Sequence, residues 1–92
     1  MMLNLLLRIR ENIHRQSVQN KFRKLNISFF NESGEYRDTI AILEEVVSAL
    51  RILKFKDEDV QLIYYIDTFV GIDYFDKFYD IFIKYIKKYL TQ

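Results

Sequence analysis

The sequence predicts an all-α fold: a small bundle of four helices with one ordered loop at about residues 26–37. Three observations carry this expectation. Apolar residues recur every three or four positions through the chain that follows residue 37, the spacing of one helical face. Proline is absent, so no ring breaks a helix from within. The only two glycines, Gly34 and Gly71, fall between periodic segments, where a chain turns most cheaply. The 92 residues form one domain, 1–92, near the small end of what buries a core unaided. Half of them are hydrophobic, including eight Phe and seven Tyr. That area suffices for a core and leaves some for a partner.

The elements follow in order. Residues 1–25 read as a basic amphipathic helix. Met2, Leu6, Ile9 and Ile13 make its stripe, which breaks at Gln16, Ser17 and Asn20 and restarts with Val18, Phe22 and Leu25. A weak point, or a junction of two helices, is expected at 16–20. Residues 26–37 form the loop. Ile27, Phe29 and Phe30 partly alternate, and Asn31-Glu32-Ser33-Gly34 is a turn signal in which glycine takes positive φ without steric cost. Phe29 and Phe30 are expected to anchor the loop on the helices, with Gly34 and Arg37 shaping it.

The next helix, 38–54, is capped by Asp38 or Thr39. Leu43, Val46, Val47, Leu50 and Leu53 line its apolar face, and Ile42, Ala49 and Ile52 widen it. That width predicts the central helix of the bundle, with Glu44 and Glu45 facing outward. Helix 57–70 is expected to start on Asp57, with Glu58 and Asp59 favoured by the dipole. Leu62, Ile63, Ile66, Phe69 and Val70 point inward, and of the adjacent Tyr64 and Tyr65 one must reach the surface. Gly71 stops this helix. Helix 73–90, capped by Asp73, repeats Phe75, Phe78, Phe82, Ile86 and Tyr89 on one face, and Lys84, Lys87 and Lys88 suit its negative end. Short connections favour antiparallel neighbours.

Charge is divided unevenly. Residues 1–24 carry six Lys/Arg against Glu11, a net of +5, and residues 25–92 carry eight against twelve acids, a net of −4. A basic arm on an acidic body predicts docking within the chain or an acidic partner. Arg8, Arg10, Arg15, Lys21, Arg23 and Lys24, with Tyr64 and Tyr65, are the candidate partner surface. The bland reading of those cations is a solvated face. A phosphate-binding face is the sharper one, and the acids among the aromatics of helix 73–90 would repel phosphate.

Chemistry is sparse. Cysteine is absent and histidine occurs once, which excludes a Cys/His zinc site and a disulfide framework. No nucleophile elbow, phosphate loop or dinucleotide fingerprint occurs, and no calcium-loop spacing accompanies the carboxylate pairs. No catalytic residue, cofactor or metal is therefore expected. The first apolar run lacks a charged leader and is too short to span a bilayer, which takes ~20 residues. A cytoplasmic location is expected.

Two resemblances add to this. Arg8 and His14, with five residues between them, are similar to the loose Arg-x(4–6)-His pattern of the HEPN ribonuclease family, which would imply phosphate chemistry on the first helix. More extensively, residues 24–82 resemble a segment of tail tape measure proteins of tailed bacteriophages. The likeness rests on Leu25-Asn26-Ile27, on Phe30 to Asp38 with Gly34 and Arg37-Asp38, on Ile42-Leu43-Glu44-Glu45, on acidic 57–59, on Ile63 to Ile66, on Val70-Gly71 and on aromatic 75–82. Asn26 stands where that family usually has glycine, and the family's tryptophan after the central helix is absent. The resemblance implies a non-enzymatic structural or interaction module that meets a protein partner or itself, in the host cytoplasm or the virion. A small phage or mobile-element regulator that binds a host protein, anti-defence or immunity-like, is the alternative. A nucleic-acid binder using the basic helix comes third.

Overall fold

The structure, a computed structural model, describes the backbone of residues 2–90 and the side chains of residues 3–85. Five α-helices follow one another: α1 (Met2–Asn12), α2 (Gln16–Arg23), α3 (Thr39–Phe55), α4 (Asp59–Val70) and α5 (Phe75–Leu90), with a 3₁₀ turn at Ile72–Tyr74 before α5. No strand forms among the described residues, and a single antiparallel bridge joins Phe30 to Tyr36.

The predicted first helix is two. Its break falls at residues 13–15, earlier than 16–20, and two buried amides explain it. Asn12 Nδ2 donates to the Phe69 carbonyl at 2.9 Å, and Gln19 Nε2 donates to the Ile13 carbonyl at 2.9 Å. The second bond satisfies a carbonyl that the ended helix leaves open. It also turns Val18 and Phe22 into the core. The buried stripe of α1 is Leu5, Ile9 and Asn12, continued by Ile13 just past its end; Leu6 is half-buried, one step round from its expected position. Met2 lies outside the described side chains.

Two helix ends follow one rule that the sequence reading missed. Ile27 N–H donates to the Phe22 carbonyl and Asn26 N–H to the Arg23 carbonyl; Glu58 and Asp57 repeat this on Leu53 and Lys54. These are Schellman closures, with the residue at C′ in the left-handed region. Asn26 has φ 61° and Asp57 φ 56°, and Asn and Asp tolerate that region better than most side chains. Asp57 therefore ends α3 instead of capping α4. The residue before α4 is Glu58, the residue before α3 is Asp38, and neither makes a side-chain capping bond. Asp73 sits inside the 3₁₀ turn, two residues before α5 begins, and its carboxylate accepts from Arg8.

The central helix is α4, not α3. It packs against α1, α2, α3 and α5, and Leu62, Tyr65, Ile66, Phe69 and Val70 form one broad buried face at i, i+3, i+4, i+7 and i+8 that these neighbours share. Helix α3 contributes Ile42, Leu43, Val46, Val47 and Leu50, and α5 contributes Phe78 and Phe82. Two inward assignments fail: Ile52 and Ile63 are exposed. Phe75 is half-buried, and Ile86 and Tyr89 fall outside the described side chains.

The 26–37 segment is an ordered hairpin-like loop. Asn31 Oδ1 accepts from the amides of Ser33 (2.9 Å) and Glu35 (3.0 Å), an Asx turn. Arg37 N–H donates to the Phe29 carbonyl at 2.8 Å, and its guanidinium bonds the Ser28 carbonyl and Glu45, each at 2.8 Å. Glu45 is thus half-buried and paired. Phe29 is a core anchor beside Phe22, whereas Phe30 stays half-buried against Tyr36. Gly34 has φ +81° with nothing near its missing Cβ, so a substitution there meets only backbone strain. Gly34→Val is expected to cost about 1–2 kcal/mol, read as a lowered Tm by circular dichroism; an unchanged Tm would make the loop a mere tether.

Candidate functional site

Arg8 is the most engaged side chain of the expected partner surface. Its Nη1 donates to the Val70 carbonyl (3.0 Å) and Asp73 Oδ1 (2.7 Å), and Nη2 donates to Asp73 Oδ2 (2.8 Å). The guanidinium also lies 4.4 Å from the centre of the Tyr74 ring. Helix α1 thereby clasps the turn between α4 and α5 through a bidentate, charge-assisted pair. This pair raises the Arg8 pKa and holds the Asp73 carboxyl below the ordinary carboxylate range. A depressed carboxylate stabilises the fold above its unfolded pKa, and that stability is lost as pH falls through the lower folded value. The advantage of the wild-type chain over Asp73→Asn is therefore expected at neutral pH and should vanish as pH drops well below about 4. Urea denaturation at both pH values measures it.

Lys21 is committed as well. Its Nζ lies 3.7 Å from the Tyr64 ring centre and 4.9 Å from that of Tyr65. Tyr64 is 54% exposed and Tyr65 only 6%, so one of the pair reaches the surface, as the sequence required. Burial, and then Tyr64, push the Tyr65 hydroxyl above its ordinary value. Of the eight residues of the expected surface, Arg8, Lys21 and Tyr65 thus serve the fold. Arg10, Arg15, Arg23 and Lys24 remain exposed, with Arg23 bonded to Asn20.

Arg8 and His14 do not form a pair. α1 ends between them; Arg8 turns to Asp73, and His14 lies 4.3 Å from Tyr36. His14 instead shares a small cleft with Arg10, Tyr36 and Arg37, whose guanidinium is taken by Ser28 and Glu45. Among the described residues no group of three His, Cys, Asp or Glu is placed to hold a metal ion. Asp59 lies 3.9 Å from Lys54.

The surface that the sequence reading missed is apolar. Val60 and Ile72 are 82% and 83% exposed, and Ile63 and Tyr64 lie half open beside them. With Phe75 and Asp67 they line a groove of about 540 Å³. A neighbouring hollow shares Ile63 and Phe75 and runs on to Tyr79, Lys54 and Asp59. The signal was present in the composition of α4, which is apolar around most of its circumference. Such a helix is normally covered on all sides, and here one side is left open. No helix of the described residues is long and apolar enough to cross a membrane.

Comparisons of the chain with protein-family models, with curated proteins and with solved structures found no match.

Proposed function

We propose that this chain is a non-enzymatic protein-interaction module of the phage structural type, similar to part of a tail tape measure protein, acting in the host cytoplasm or the virion. The observation that carries the interaction role is the contiguous exposed apolar groove of α4, the 3₁₀ turn and α5. Exposed patches of this kind mark interaction sites more often than idle surface. The finer architecture is a four-helix bundle in which α1 and α2 count as one bent arm.

The test is solution mass combined with affinity capture on the full chain and identification of what is retained. The reading expects self-association or a tail component. A strictly monomeric chain that retains no tail, chaperone or host protein would remove its basis. Capture of a host protein alone would favour a small regulator, which would use the same groove. The exposed Arg10, Arg15, Arg23 and Lys24 leave nucleic acid as the third reading. A shift assay decides it, because phosphate contacts must bind at low salt and weaken steeply as salt rises.

A further inference from the structure

We propose that the groove of α4, the 3₁₀ turn and α5 receives a basic amphipathic helix from a protein partner. The inference rests on the reading of the chain as an interaction module and names the chemistry of what it binds.

Shape supplies the first argument. The groove runs between two helices, from Val60 and Tyr64 across Ile63 and Phe75 towards Tyr79. From Val60 to Asp67 the α4 wall covers two turns, ~10 Å at 1.5 Å per residue. That length suits a helix docking apolar residues at i, i+3, i+4 and i+7. Val60 and Ile72, the most open of the apolar residues here, would supply the area that such anchors cover.

Charge supplies the second. Between residues 57 and 80 the chain carries seven carboxylates against a single lysine, Lys77; with Arg8 on Asp73, Lys54 near Asp59 and Lys21 on Tyr64 counted in, this side keeps a net of −3. Asp67 is the one charged residue lining the apolar groove, and no cation of the described residues pairs with it. Asp76, beside Phe75, is exposed. The two nearby lysines are engaged at the edges, Lys21 on Tyr64 and Lys54 near Asp59. A helix with an apolar stripe and flanking Lys or Arg complements this field. Nucleic acid and anionic lipid are repelled by it. Two copies meeting face to face would bring two acidic surfaces together, which like-charge repulsion opposes.

The probe is a synthetic peptide of about five turns with leucines at i, i+3, i+4 and i+7, lysines elsewhere and one tryptophan. A sister peptide carries glutamate for every lysine. The chain has no tryptophan, so indole emission reports the peptide alone. Titrated into the full chain, the lysine peptide is expected to bind at least about tenfold more tightly than the glutamate peptide, and to weaken as salt rises. The double variant Val60→Ser/Ile72→Ser should lose about tenfold or more in affinity with unchanged Tm, since both side chains already face solvent. Asp67→Asn should narrow the difference between the two peptides.

Equal binding of the two peptides, or indifference to the double variant, overturns the proposal. So does a wild-type dimer in sedimentation that the double variant dissolves and the lysine peptide fails to displace, because a second copy then fills the groove. If the double variant still captures the partner retained by the wild-type chain, the groove assignment fails while the module reading stands.

Discussion

Phe22→Ala is expected to lower stability by about 3–5 kcal/mol, a large share of the 5–15 kcal/mol typical of a domain. Phe22 is fully buried. Its ring lies 5.7 Å from Phe29, 5.4 Å from Tyr65 and 5.2 Å from Phe69, so one side chain joins α2, the 26–37 loop and α4. Its backbone carbonyl also receives the closing bond from Ile27. Alanine would leave a void that three separate elements must collapse into at once, and partial relaxation is what makes such cavities costly. Urea denaturation followed by far-UV circular dichroism measures the loss. Phe55→Ala is the control, because Phe55 is exposed and surface changes of this kind usually stay within ~0.5 kcal/mol. A Phe22 variant no less stable than the Phe55 variant would show that the loop and α2 are not held through this ring.

The same junction shows what a sequence can and cannot display. Leu43, Val46, Val47 and Leu50 on α3, and Phe78 and Phe82 on α5, were legible because a strong 3.6-residue period leaves one orientation open. The kink between α1 and α2 was legible only as a fading stripe. What places it is a pair of amides, Asn12 and Gln19, whose carbonyl partners become visible only once α1, α2 and α4 are packed. Asp57 and Asp73 were misread for different reasons. Aspartate is favoured both at an N-cap and in the left-handed region, so Asp57 satisfied either role locally. Asp73 is claimed by Arg8 from 65 positions away, and no local pattern encodes that. The groove was missed because hydrophobicity around α4 shows which residues resist water, not which of them lack a neighbour. Ile63 and Leu62 are chemically alike and adjacent, yet one is exposed and the other buried.

Gly71→Ala is expected to be the other costly substitution, and for two separable reasons. Gly71 ends α4 with φ 86° and ψ 160°, a combination essentially reserved for glycine and worth ~1–3 kcal/mol when another residue is forced into it. An added Cβ would also stand 2.9 Å from Arg8 Nη1 and 3.0 Å from Asp73 Oδ1. Arg8 can swing away, but only by giving up the bonds to Asp73 and the Val70 carbonyl that tie α1 to this turn. Gly34, with the same sign of φ and open space around it, carries the first penalty without the second, so Gly71→Ala should lower the Tm more than Gly34→Ala. A double-mutant cycle separates the two causes. If alanine at 71 displaces Arg8, then Arg8→Ala adds little once Gly71→Ala is present, and the double variant is more stable than the sum of the singles implies. Strict additivity would mean that the clasp survives the new methyl and that backbone strain alone sets the cost. A Gly71 variant no worse than its Gly34 counterpart would mean that the turn reshapes without loss, and that Arg8 does not depend on a bare backbone beneath it.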